Sequence, residues 1–236
     1  MNLNLKTCLC LCTLLLVAAL PAAADLTIVS KVTSDQGTTT STSYISESKY
    51  RRSDAESDVI FEIDTGRIIN IDHKKKKYSI ITLQQLEAKM NELSAMLKDN
   101  PMVGQMLGDL TASAEVQKVG ETRTIAGYEC VLYRLTVGKN ISVDMWVAPA
   151  LRPPMNYYDA RKMVYAQMGP MAGQFEKMID EMKKVEGYSL ASTTETRLMG
   201  RNMTVKEEAT EVKEGSLPAG TFDIPAGYKQ GKSPFE

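Results

Sequence analysis

The side chains that most often catalyse reactions are scarce in this chain. His73 is the only histidine, and it lies in a charged segment, Asp72 to Lys77, that predicts an exposed turn. A nucleophilic triad or a His/Cys metal site would need His73 together with groups that are remote in sequence. A phosphate-binding glycine loop is absent from the sequence. We therefore predict a protein that is not an enzyme and has neither a cofactor nor a metal; an unrecognised hydrolase is the third hypothesis.

The first 24 residues predict a secretory signal. Lys6 is followed by a mostly apolar run from Cys8 to Leu20, and Pro21 to Ala24 supplies the small residues of a cleavage site before Asp25. The apolar run is about thirteen residues, and a helix needs about twenty to span a bilayer. We expect cleavage near Ala24/Asp25, a periplasmic location, and no stable membrane span afterwards.

Cleavage would leave Cys130 as the only cysteine, since the other three lie inside the predicted signal. An intramolecular disulfide is then excluded, so a hydrophobic core must hold the mature chain together. Cys130 is either a reactive thiol or a small buried side chain. The second interpretation is favoured because neither a histidine nor a second cysteine is near it in sequence.

Charge is nearly balanced, with 28 Lys and Arg against 29 Asp and Glu, which argues against a nucleic-acid partner. The run Lys74-Lys75-Lys76-Lys77 is the strongest local charge. It could contact anionic lipid head groups or an acidic envelope protein, or it could be a solvated turn that discourages edge pairing.

The apolar periodicity predicts strands, helices, strands, helices and strands in that order. Period-two segments predict a meander from residue 26 to 81, hairpins between 116 and 147, and a last hairpin between 188 and 212. Leu83 to Leu97 has helical spacing, as does Met171 to Val185 before Gly187. The predicted architecture is an α+β fold: one large curved antiparallel sheet, an open half-barrel, with two helical insertions on its concave face. Residues 25–236 form a single domain, and the tail from Leu217 to Tyr228 should lie over the sheet as a clamp.

The first helical region continues after Asn100-Pro101 with a shorter helix from Met102 to Leu110, and the second region follows Pro154. Together these regions, residues 83–110 and 155–185, hold ten of the fourteen methionines. Methionine adapts to varied apolar shapes, so these helices could form a lid over a cavity; equally, they could be ordinary core residues. The predicted apolar lining of a ligand site is Leu93, Leu97, Met102, Met106, Trp146, Met171, Phe175, Met178 and Met182.

Several motifs resemble a known bacterial family. They are Tyr50-Arg51-Arg52-Ser53-Asp54, Lys77-Tyr78, Thr124 to Cys130 with Gly120, Trp146-Val147-Ala148, and Phe222 to Tyr228. In order and spacing they resemble domain-of-unknown-function family 4412, which is similar in architecture to lipoprotein carriers of the LolA/LolB type. The resemblance implies an open half-barrel, a periplasm and an apolar or acylated ligand, and it implies no catalytic residues.

Two hypotheses for function follow. The first is a non-catalytic binding or carrier protein whose ligand is a lipid or an acylated protein segment. The second is a structural or interaction module with a filled core that engages an envelope protein.

Overall fold

A computed structural model describes residues 24–97, 114–152, 163, 178–198 and 201–233. Twelve strands and one long helix occupy the described part. Their bounds are β1 Leu26–Ser34, β2 Gly37–Ile45, β3 Lys49–Ser53, β4 Ser57–Glu62, β5 Arg67–Asp72, β6 Lys77–Thr82, α1 Leu83–Leu97, β7 Ala114–Ile125, β8 Tyr128–Val137, β9 Ile141–Ala148, β10 Tyr188–Leu198, β11 Arg201–Glu214 and β12 Lys229–Gln230.

All twelve strands belong to one open sheet, in the order β12-β6-β5-β4-β3-β2-β1-β11-β10-β9-β8-β7. Every pairing is antiparallel except that of β12 with β6. The sheet is strongly curved. The evidence is the bond from Arg123 of β7 to Glu208 of β11 at 2.9 Å, which joins two strands that three others separate in the sheet. The predicted large antiparallel sheet is confirmed. The balanced α+β class needs correction, because the described part is mostly β.

The helix α1 begins at a capping box. The Gln85 backbone N–H donates to the Thr82 hydroxyl at 3.2 Å, and the Thr82 N–H donates back to Gln85 Oε1 at 2.9 Å. Reciprocal bonds of this kind satisfy backbone donors that a helix start leaves free. The helix then packs Leu86, which is fully buried, against Phe61, Ile68 and Ile81. We call the side of the sheet that α1 covers the inner face.

The outer face of β4 and β5 is buried too. Ile60, Ile69 and Ile71 cluster there beneath Phe222, Ile224 and Tyr228 of the C-terminal segment. Burial on both faces explains why these strands carry nearly continuous apolar runs rather than simple alternation. Each fully buried isoleucine contributes about 1.5–3 kcal/mol relative to an exposed one. The tail therefore clamps the sheet, as the sequence predicts.

The two ends of the sheet differ in length. β12 is two residues long and covers only Lys77 and Tyr78 of β6. At the other end β7 has twelve residues, but its pairing with β8 is interrupted between Lys118 and Thr122, where Gly120 has a φ of 89°. The bulge carries the exposed charge of Glu121. Both edges are thus short or irregular.

One junction depends on glycine. Gly187 has a φ of 118°, and a Cβ at this position would lie 2.3 Å from the backbone oxygen of Ala148. Only glycine fits a positive φ with so close a backbone approach. The helical turn at residues 178–182 therefore ends before Gly187, and β10 follows directly.

Candidate functional site

The middle of the inner face is floored by small hydroxyl side chains. Ser30 of β1 pairs with Ser41 of β2, and Ser43 lies two residues further along β2 on the same side. All three are buried. We call this group the serine floor. The Ser43 hydroxyl lies 3.2 Å from the hydroxyl of Tyr50, whereas Ser41 Oγ has no hydrogen-bond partner among the described residues.

An ion pair crosses the serine floor. Arg52 of β3 donates from Nη1 to Glu207 Oε1 of β11 at 2.9 Å, although β2 and β1 lie between these strands. In register, Arg52 lies beside Ser43 and Glu207 lies beside Val32, so the line joining them passes over Ser41 and Ser30. Small residues beneath leave room for the long arginine side chain.

The pair is enclosed but not sealed. Burial alone would lower the pKa of the Arg52 guanidinium, yet the neighbouring Glu207 and Tyr50 outweigh burial and the pKa is raised. At the same time 35% of the Arg52 side chain and 32% of the Glu207 side chain remain exposed. The pair is therefore partly desolvated and partly in contact with solvent.

Apolar clusters flank the serine floor on both sides. On the Arg52 side Tyr50 packs against Phe61, with ring centroids 5.8 Å apart, in the cluster that includes Leu86 of α1. On the other side, Glu207 is paired with Ser192 of β10, which is paired in turn with Met145 of β9. Met145 belongs to a cluster with Leu135, Met178 and Met182. The inner face therefore places a polar, charged floor between two apolar surfaces, an arrangement that suits an amphipathic molecule.

A second polar group lies on the outer face. Arg51 donates from Nη2 to Asp58 Oδ2 at 2.5 Å and from Nη1 to the Thr221 backbone oxygen at 2.5 Å. His73 Nε2 lies 3.1 Å from the same Asp58 oxygen, and His73 Nδ1 lies 2.9 Å from the Tyr228 hydroxyl. The Asp58 side chain is fully buried. We call the side chains of Arg51, Asp58, His73 and Tyr228 the tail network, because they join the sheet to the C-terminal clamp.

The tail network corrects the prediction that His73 lies in an exposed turn. Three-quarters of its side chain is buried, and both ring nitrogens face polar partners. An ionised Asp58 only accepts, so Nε2 donates to it, and in the neutral ring Nδ1 then accepts from the Tyr228 hydroxyl. The histidine fills a structural position in this arrangement.

The described members of the predicted apolar lining separate into two places. Met178 and Met182 are buried in a cluster with Met145 and Val147 of β9. Trp146 lies between those two residues in the strand and therefore points to the other side of the sheet. There the Arg123 guanidinium lies 4.5 Å from the centre of its ring. The structure thus does not bring Trp146 together with Met178 and Met182.

Most of the other predicted lining residues lie outside the described part of the chain. They are Met102, Met106, Met171 and Phe175. The first 23 residues of the predicted signal, which spans residues 1–24, lie outside it as well. Leu93 and Leu97 belong to α1, but their side chains lie outside the described part.

The lysine run forms the turn between β5 and β6. Lys74 bonds Glu56 at 2.6 Å and Lys75 bonds Asp72 at 2.9 Å, so two of the four charges have acidic partners within the chain. Lys76 has a φ of 50° in the turn, and Lys77 begins β6. These contacts agree with a solvated turn.

Cys130 is a fully buried free thiol. Burial raises its pKa, which the charge of Arg123 offsets only in part, so the unreactive protonated form is favoured. Within the described residues no group of three His, Cys, Asp or Glu side chains is arranged to hold a metal ion. In the same part of the chain no helix has the length and apolar character that crossing a membrane requires.

Sequence reasoning missed the Arg52–Glu207 pair and the serine floor. Arg52 and Glu207 are 155 residues apart in sequence. A local signal did exist: Ser41, Ser43 and Ile45 recur at period two in a strand, which marks the serines as members of the same face as a buried isoleucine.

Fold and site together describe an open, curved, antiparallel sheet with an amphipathic inner face, which agrees with the half-barrel expected from the sequence. The chain belongs to the family DUF4412, a domain of unknown function, which matches residues 27–228. No curated protein sequence matches it.

Two solved structures are similar in fold. An uncharacterized conserved protein from Thermus thermophilus has a TM-score of 0.50 at 6% identity, covering 89% of this chain and 91% of that one. MucB, in the Pseudomonas aeruginosa MucA/MucB complex, has a TM-score of 0.43 at 11% identity, and the match covers 87% of this chain and 56% of that one.

Proposed function

We propose that this protein is an exported, non-catalytic binding or carrier protein of the bacterial periplasm, and that its ligand is apolar or acylated. The observation that carries the proposal is the inner face, where a polar floor with an accessible ion pair lies between two apolar clusters. An amphiphile would satisfy both kinds of surface at once, since binding sites combine apolar walls with a few placed polar groups.

The location rests on the predicted signal at residues 1–24 and on the family resemblance. A periplasmic carrier fits the chemistry of such a ligand, because an acyl chain in water exposes apolar surface at a cost of about 25 cal/mol per Å². The non-catalytic role is supported by the tail network, which occupies His73, and by the burial of Cys130.

The test begins with the full chain, exported in a bacterial host and purified from the envelope without detergent. Mass spectrometry should detect a co-purifying lipid or acylated peptide, and the protein should bind a fluorescent fatty-acid probe. Repeated recovery of no lipid, together with no binding of the probe, would contradict the proposal.

A matched pair of variants in β2 localises the binding. Ser41→Leu places an apolar side chain in the serine floor, whereas Thr40→Leu changes the neighbouring, exposed residue that points to the opposite side. We expect Ser41→Leu to weaken probe binding by about tenfold and Thr40→Leu to leave it unchanged. Urea unfolding of both variants shows whether Ser41→Leu is still folded.

A second candidate function is an interaction module with a filled core. It is favoured by one observation: Met178 and Met182 are buried against β8 and β9 rather than left as a free lid. This candidate predicts that the purified protein carries no lipid and that Ser41→Leu has no effect on the probe.

A further inference from the structure

We propose that the Arg52–Glu207 pair binds the head group of a zwitterionic amphiphile. The ligand's anionic group, a phosphate or a carboxylate, would lie against Arg52, and its ammonium would lie against Glu207. This inference rests on the proposed function and adds the chemical class of the ligand.

The Arg52–Glu207 pair can be reached from solvent. About one third of each side chain is in contact with solvent, and neither group is held in a sealed core. By contrast, Asp58 of the tail network has no exposed side-chain surface. A ligand can approach the first pair without unfolding any part of the sheet.

The charges of the pair favour a ligand that carries both signs. A ligand with a single charge would pair with one member and leave the other, which is only partly hydrated, without its counter-ion, so part of the gained interaction is lost. A zwitterion brings a partner for each, so both charges stay compensated. Arginine suits the anionic end, because its planar group of donors matches the oxygens of phosphate and carboxylate.

An unsatisfied hydroxyl lies beneath the pair. Ser41 is 3% exposed, and its Oγ has no hydrogen-bond partner within the described residues. It lies under the line from Arg52 to Glu207, so a head group that draws the guanidinium off Glu207 uncovers it. The hydroxyl can then donate to an oxygen of the ligand, which removes the cost of leaving it unpaired.

The flanking clusters provide a place for the hydrocarbon. Tyr50 and Phe61 lie on the Arg52 side of the floor, and Met145 lies on the Glu207 side, each within an apolar cluster. Phe61 and Met145 are themselves buried, so an acyl chain attached to a head group on the pair would meet the partly exposed members of the two clusters, which are Tyr50 and Val59 on one side and Tyr133 and Val143 on the other.

The test compares amphiphiles that share a dodecyl chain and are used below their micellar concentrations. Dodecylphosphocholine and dodecyl betaine are zwitterionic, with a phosphate and a carboxylate respectively; dodecyl phosphate is anionic and dodecyltrimethylammonium is cationic. Calorimetry on the full chain should show a zwitterion binding about tenfold more tightly than either the anionic or the cationic probe. The two zwitterions differ in the anionic group and in the order of the two charges along the molecule, so the stronger one identifies the combination of anionic group and charge order that the site takes.

Charge-removing variants make the prediction specific. Glu207→Gln leaves Arg52 unpaired, so dodecyl phosphate should become the tightest ligand. Arg52→Gln should shift the preference to dodecyltrimethylammonium. The matched control is Arg134→Gln, which breaks an exposed Arg134–Asp144 pair and should leave the order of affinities unchanged. Urea unfolding checks that each variant is folded.

The outcomes distinguish failure of the head-group site from failure of the carrier function. Equal binding of all four probes, or an unchanged order in Glu207→Gln, would overturn the head-group site while leaving the carrier function standing. Preference of the unaltered protein for dodecyl phosphate would also overturn it. Binding of none of the probes would overturn both.

Discussion

Arg51 and Arg52 are neighbours in β3 and point to opposite faces of the sheet. On the outer face 14% of the Arg51 side chain is exposed, and its carboxylate partner Asp58 is fully buried. On the inner face 35% of the Arg52 side chain is exposed, and its partner Glu207 is open to a similar extent. Two adjacent arginines thus form two ion pairs that differ in how far they are buried.

The difference shows that surroundings decide what an ion pair can do. Arg51 bonds to Asp58 of the sheet and to the backbone oxygen of Thr221 in the tail. Breaking these bonds would leave the buried Asp58 carboxylate without its counter-ion. Arg52 has solvent on one side and can exchange its partner. We therefore assign a structural role to the first pair, and this difference is why the binding site is proposed at the second.

The largest expected effect is loss of the buried carboxylate. Asp58→Ala should lower the free energy of unfolding by about 3–5 kcal/mol, because it leaves Arg51 desolvated without its counter-ion. Urea unfolding measures the loss. Asp144→Ala is the control, since it removes the acid from the exposed pair with Arg134 and should cost no more than about 1 kcal/mol. A similar loss in both variants would mean that burial does not distinguish the two pairs.

Replacing each of the two neighbouring arginines should give a smaller difference in the free energy of unfolding than the two aspartate variants do. Arg51→Met should lower the free energy of unfolding by about 3 kcal/mol. Asp58 would keep His73 as a polar partner but would lose the positive charge of Arg51. Arg52→Met should cost about 1 kcal/mol or less, because Glu207 regains water. Both values come from the same urea experiment. Equal losses would contradict the assignment of different roles to the two faces.

The smallest effect should come from an exposed carboxylate and should depend on pH. The backbone N–H of Lys75 donates to Asp72 and lowers the pKa of that carboxyl below its usual 3.8. A carboxyl with a lowered pKa in the folded state stabilises the protein above its unfolded pKa and loses that contribution as pH falls through the folded value.

Asp72→Asn should therefore be less stable than the unaltered protein at neutral pH, and the gap should narrow below pH 3.8. Thermal unfolding at several pH values measures the gap. A gap that stays constant over this range would show that the lowered pKa does not contribute.

Much of the fold follows from periodicity. The predicted start of a helix at Leu83 is confirmed, because spacing and a capping Thr82 agree. The predicted hairpins between residues 116 and 147 are also confirmed. In the first of them Ala126 and Gly127 connect β7 to β8, and both have the positive φ of a type I′ hairpin turn.

Strand β3 was not predicted because Lys49 to Ser53 has no apolar alternation. Its charged side chains are accommodated by partners far away in sequence, Glu207 on one face and Thr221 on the other. The same reason hides the candidate site. A site built by an ion pair across four strands leaves no local signal in any one of them, and only the alternating serines of β2 suggest it.

The irregular edges of the sheet affect how molecules of this protein meet one another. An open sheet with straight edges can add a strand from a second molecule and grow into a fibre. Here the bulge and the Glu121 charge interrupt β7, and a two-residue strand covers part of β6. Strand-by-strand polymerisation is therefore disfavoured at both ends. The sheet is open, yet its two edges are protected against pairing with a second molecule.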